Sequence, residues 1–159
     1  MPTVLRASGR TFDPDAFCVE TTLPVCRSVR QGESRFPLTN PNGPSNVESR
    51  LHINVSDADF YEFETQINDA IAFLALHRSE IERLVNYPGV ERLTLDFGIE
   101  RRDVALQSDR FPPELIRFAG QLGLGIELSQ YPSSDQDGDS EGDGEGETPI
   151  DQTSNQQNV

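Results

Sequence analysis

The stretch Arg50-Leu51-His52-Ile53-Asn54-Val55-Ser56-Asp57 sets the architecture of this chain. Leu51, Ile53 and Val55 alternate with Arg50, His52 and Asn54. Successive side chains of a strand point to opposite faces, so this period of two predicts a half-buried strand. Ser56 or Asp57 is placed to cap a helix with the apolar stripe Phe60, Phe63, Ile67, Ala70, Ile71 and Leu74. Glu62, Gln66 and Asp69 fall opposite that stripe and read as its solvent face. Ser79 and Glu82 fit a capping box for a second helix carrying Ile81 and Val85, which Pro88-Gly89 stops.

Toward the C-terminus, Leu93, Leu95, Phe97 and Ile99 alternate as a strand, and Val104 and Leu106 suggest its antiparallel partner across a turn at 100–102. Pro112-Pro113 opens a helix with Leu115, Ile116, Ala119 and Leu122, closed by Gly123. Leu124, Ile126 and Leu128 form a last strand. Residues 50–131 therefore read β-α-β-β-α-β, the ferredoxin-like order of an α+β fold: an antiparallel sheet with helices on one face. Toward the N-terminus, residues 3–8 read as a strand. Asp13 and Pro14 start a short helix through Cys18, and Leu23, Val25 and Val29 form another strand. This added N-terminal β-α-β would extend or cover an edge; an alternative places the ferredoxin-like unit at 3–99. Residues 31–49 hold Pro37, Pro41, Gly43 and Pro44 and read as a long surface loop.

Patterning ends at Tyr131-Pro132, dividing the chain into one globular domain, 1–132, and an acidic tail, 133–159, whose composition predicts disorder. The tail carries Asp135, Asp137, Asp139, Glu141, Asp143, Glu145, Glu147 and Asp151 and no basic residue. The formal charge of −14 thus divides into −8 for the tail and −6 for the body. A negative body argues against nucleic acid as a partner, since phosphates need clustered cations. All 13 basic residues are arginine, which reads as a coding bias. No apolar run is long enough for a bilayer, and the N-terminus lacks a signal-peptide pattern, so no membrane partner and a cytoplasmic location with reduced Cys18 and Cys26 are expected.

The residues Val4-Leu5-Arg6-Ala7-Ser8-Gly9, Phe12-Asp13-Pro14-Asp15, Arg30-Gln31-Gly32 and the closing helix and strand before Tyr131-Pro132 occur in an order that resembles a bacterial domain of unknown function, the family numbered 4279. The resemblance covers most of residues 3–132 and none of the tail. One departure is the strand after the long loop, where an aromatic-rich segment is expected and Ser49-Arg50-Leu51-His52-Ile53 stands. The resemblance implies a small α+β bacterial domain and supplies no activity, cofactor or catalytic residue.

No motif demands a cofactor or a metal. Cys18 and Cys26 lie eight apart with His52 and His77 distant in sequence, whereas a structural zinc site uses closely spaced ligand pairs. Nothing beside Cys18 or His52 suggests an activated nucleophile. The tail opens like a calcium loop at Asp135, but its sixth and twelfth positions hold Ser140 and Gly146 instead of Gly and Glu. Residues 70–76 are apolar all round, and Phe73 and Leu76 fall outside the helix's core stripe. They are candidate partner contacts unless the N-terminal segment covers them. Arg30 and Arg35, with Arg27 nearby, are candidate anion contacts beside the loop 31–49. The resulting expectation is a non-enzymatic protein-binding domain, immunity- or antitoxin-like, whose charge suits a basic protein. The alternative is a small-anion sensor or enzyme using a cleft beside 31–49.

Overall fold

The computed structural model describes residues 2–132; the segment 133–159, with its calcium-loop-like opening and its expected disorder, lies outside the described residues. The described chain runs β1 (Thr3–Gly9), α1 (Pro14–Glu20), β2 (Val25–Val29), β3 (Ser34–Phe36), β4 (Asn40–Ser45), β5 (Ser49–Ser56), α2 (Phe63–Leu76), α3 (Arg78–Val85), β6 (Arg92–Glu100), α4 (Pro113–Gln121) and β7 (Gly125–Tyr131). The class is α+β. Five strands form one sheet in the order β2-β5-β1-β6-β7, and β3 with β4 forms a separate hairpin.

The N-terminal strand sits at the centre of the sheet and not at an edge. β1 pairs antiparallel with β5 on one side and with β6 on the other. It also occupies the flank of β6 that a strand through Val104 and Leu106 would have needed, while β7 takes the other flank in parallel. Residues 101–112 consequently form no strand. Two apolar residues among charges cannot outcompete Leu5 and Ala7, both wholly buried, and Leu106 is 82% exposed instead. The segment is tied down by its own side chains: Gln107 Nε2 donates to the Glu100 carbonyl at 3.2 Å, and Arg102 pairs with Asp109 at 2.7 Å. Between the parallel strands β6 and β7 the chain must cross over, and α4 makes that crossover. The sheet is therefore mixed. The loop at 31–49 is partly ordered as the β3–β4 hairpin.

All four helices lie over one face, whose core contains Leu5, Leu51, Ile53, Leu95 and Phe97 of the sheet with Phe17, Leu74, Leu84 and Leu115 of the helices. Each such side chain contributes about 1.5–3 kcal/mol through burial. Asp13 caps α1 by accepting from the Asp15 and Ala16 amides, with Pro14 opening the first turn. Phe17 meets Tyr87 edge-on at 5.0 Å and lies under the Arg83 guanidinium, which docks α1 beside α3. Gly123 adopts φ 69° after α4, the left-handed conformation expected of a residue that ends a helix.

Two helix starts differ from the sequence pattern. α2 begins at Phe63 because Ser56 and the residues after it make a turn: Ser56 Oγ accepts from the Ala58 amide and donates to Asp69. α3 follows α2 directly with no side-chain cap, and Glu82 pairs with Arg78 at 2.9 Å instead of closing a box with Ser79. Gln66 is the largest departure. Periodicity places it on a solvent face, yet it is 0% exposed. Thr3 Oγ1 donates to its Oε1 at 2.8 Å, and its Nε2 donates to the carbonyls of Asp59 and Gly98 at 2.8 and 2.9 Å. One amide thus fastens α2 to β1, β6 and the turn before the helix, with every capacity but one lone pair used.

Candidate functional site

The sheet face away from the helices is polar, and register arranges it in rows. The first row runs across four strands as Arg27, His52, Arg6 and Thr94, reaching Gly125 on β7. The next row toward one end holds Val29, Arg50, Ser8 and Arg92. On the other side lie Asn54, Val4, Asp96 and Glu127. Neighbouring strands are about 4.8 Å apart, so Arg27 and Thr94 are separated by roughly 14 Å across the face. These residues converge because each occupies the polar phase of a strand whose other phase is core.

Ion pairs order the rows. Arg6 bridges Asp96 at 3.3 Å and Glu127 at 2.6 Å, and Ser129 Oγ donates to Asp96 at 2.8 Å. Glu48 lies between Arg92 at 2.6 Å and Arg50 at 3.5 Å. Together, Arg6, Ser8, Glu48, Arg50, Arg92 and Glu127 surround an open depression of about 200 Å³. Arg27 makes no ion pair among the described residues. Four arginines against Glu48, Asp96 and Glu127 leave a surplus positive charge here, on a body whose formal charge is −6.

His52 registers that field. Burial chiefly, then Arg27, Arg6 and Arg50, lower its pKa from 6.5 to about 4, so the imidazole is neutral near pH 7. The two thiols move the other way. Burial, aided by Asp15, raises Cys18, and burial raises Cys26, whose Sγ donates to the His52 carbonyl at 3.2 Å. Neither is activated as a nucleophile. Among the described residues, no group of three or more His, Cys, Asp and Glu side chains is placed to hold a metal ion.

The residues singled out by sequence do not form one site. Phe73 is only 8% exposed and packs on His77 with ring centroids 4.5 Å apart, so it is core and presents no surface to a partner. Leu76 is 77% exposed at the end of α2. Arg30 is held by Asp15 and by Glu33, and the depression beside it, bounded by Arg10, Asp13, Asp15 and Gln31, has carboxylates where an anion would sit. Arg35 is exposed on β3, away from that depression's lining. A larger depression of about 570 Å³ lies between the start of α2 and 101–112, where Arg102 is already taken by Asp109 and Glu62 and Glu64 share the wall.

The sequence assigns no binding role to Arg6, Arg50, His52, Arg92, Asp96 or Glu127. Their signal was the recurrence of charge at the outward phase of several strands, which has meaning only once the strand order is known. No helix among the described residues is long and apolar enough to cross a membrane. No family model, curated protein or solved structure matches this chain.

Proposed function

We propose that this chain is a non-enzymatic protein-binding domain that receives an acidic segment on the open face of its sheet. The observation that carries the reading is the pair of rows containing Arg27, His52, Arg6, Arg50 and Arg92. In each row two arginines on alternate strands, about 10 Å apart, present forked donors that suit carboxylates along an extended peptide. His52 adds a neutral hydrogen-bonding group at the centre and no competing charge.

The tail favours a second reading, a basic protein held by the carboxylates between Asp135 and Asp151. An anion bound beside 31–49 is the weaker alternative, because Arg10 and Arg30 there stand against Asp13, Asp15 and Glu33, whereas the sheet face keeps one arginine more than its carboxylates.

The test uses the full chain with its eight tail carboxylates changed to amides (Asp→Asn, Glu→Gln), so that the tail does not repel an acidic probe. A short poly-glutamate peptide is titrated at low salt and amide signals are followed by NMR. Shifts at Arg6, His52, Thr94 and Arg92 that saturate and disappear in high salt support the proposal. Unchanged signals on this face reject it.

A further inference from the structure

We infer that the chain's own acidic tail, residues 133–159, is an intramolecular occupant of the arginine rows on the open sheet face and competes there with outside acidic segments. This rests on the anion-binding reading of that face.

Three observations converge on it. The first is where the described chain ends. Glu127, Ser129 and Tyr131 share one face of β7, and Glu127 and Ser129 contact Arg6 and Asp96 on the open side. Tyr131 packs on Phe60 at 4.9 Å, and Phe60 lies against Gly98, where an added Cβ would meet its ring at 2.9 Å. The Arg101 amide also donates to the Tyr131 carbonyl at 2.8 Å. The tail therefore departs from a pinned residue at one end of the open sheet face. Pro132 follows, and without an N–H it cannot prolong the strand ladder.

The second observation is reach. Gly125, level with Thr94, His52 and Arg27, is six residues back along β7 from Tyr131, or about 20 Å at 3.3 Å per residue. The Arg50 and Arg92 row lies two residues further, about 26 Å away. An extended chain spans at most about 3.3–3.6 Å per residue. Arg27 and Arg50 also lie four and three strands across from β7, which puts them about 28 and 30 Å from Tyr131, so Glu141 and Asp143, ten and twelve residues beyond Tyr131, can reach both rows after turning back.

The third is charge. The tail carries −8 with no basic residue, and the face is locally positive on an otherwise negative body. Individual exposed pairs are weak, but covalent attachment through a short stretch of chain raises the effective concentration to about the millimolar range.

The native full chain and the full chain with its tail carboxylates changed to amides are compared by NMR at low salt. In the native chain, Arg6, His52, Thr94 and Arg92 amide signals should differ from those of the neutralised chain. The His52 imidazole should titrate about half a unit higher, as one carboxylate near 7 Å would produce. Both differences should vanish near 1 M salt and stay constant on dilution. Arg27→Gln with Arg92→Gln, both at exposed side chains, should remove most of the difference without disturbing the fold. Identical face signals in the two chains overturn the inference, and so does a difference that survives Arg27→Gln/Arg92→Gln or grows with protein concentration. If poly-glutamate binds the neutralised chain while the native tail leaves no trace, the face remains an acidic-segment site and only the intramolecular occupant is rejected. If neither binds, both readings fall.

Discussion

Replacing Gln66 with Ala should be among the most damaging single changes in this domain, although the residue is polar and its helical phase is that of a solvent face. The substitution removes three hydrogen bonds, from the Thr3 hydroxyl and to the Asp59 and Gly98 carbonyls. At about 1 kcal/mol each these account for roughly 3 kcal/mol. The Asp59 carbonyl keeps a bond from the Glu62 amide at 3.0 Å, which limits the penalty there. The space vacated by the side chain adds about 1 kcal/mol or more unless water fills it. A total of about 3–5 kcal/mol follows, a large part of the 5–15 kcal/mol typical of a domain. The chain has no Trp, so far-UV circular dichroism is the suitable probe of urea unfolding. With an m-value of about 1.5–2 kcal/mol per M, the midpoint should fall by about 2 M at unchanged m. Gln66→Glu supplies a second, sign-specific check. It retains an acceptor for Thr3 but turns the amide donor into a carboxylate facing two carbonyls. Burial would raise its folded pKa above the unfolded value near 4.3. The folded state then binds the proton first, so this variant should lose stability relative to the native chain as pH rises from about 5 to 8. A midpoint shift below about 0.5 M for Gln66→Ala, or a pH-independent Gln66→Glu, would refute the assignment of this amide as a buried fastener.

Phe73→Asp should abolish the cooperative thermal transition, because a large buried ring is replaced by a charge with no partner. Leu76→Asp, three residues on but at a 77% exposed position, should change stability by no more than about 0.5 kcal/mol. Equal effects at the two positions would contradict the placement of α2. For His52, the folded pKa of about 4 lies below the unfolded 6.5. The unfolded chain therefore takes up the proton first; stability is complete above pH 6.5 and is lost as pH falls toward about 4. His52→Gln should flatten this part of the urea-midpoint profile relative to the native chain, while contributions from other groups remain common to both. Parallel profiles would show that neither burial nor Arg27, Arg6 and Arg50 holds down the pKa of the imidazole.

Local chemistry was legible wherever it dominated. Strict alternation at Leu51–Ile53–Val55 and at Leu93–Leu95–Phe97–Ile99 dictated strands, because either phase shift would bury charge. Asp13-Pro14 and Gly123 marked helix ends through backbone bonding and conformational needs that act within a few residues. Pairing partners are another matter, since any strand of suitable pattern can satisfy a ladder and only the competition among all of them selects one. That competition put β1 between β5 and β6, left Val104 and Leu106 in a loop, and turned β6 and β7 parallel. It also buried Gln66, whose partners Thr3 and Gly98 lie 63 and 32 residues away and leave no periodic trace. The arginine face arose in the same way. Arg6, Arg27, Arg50 and Arg92 are unremarkable polar positions one strand at a time, and they become a single surface because four strands from distant parts of the chain lie side by side in register.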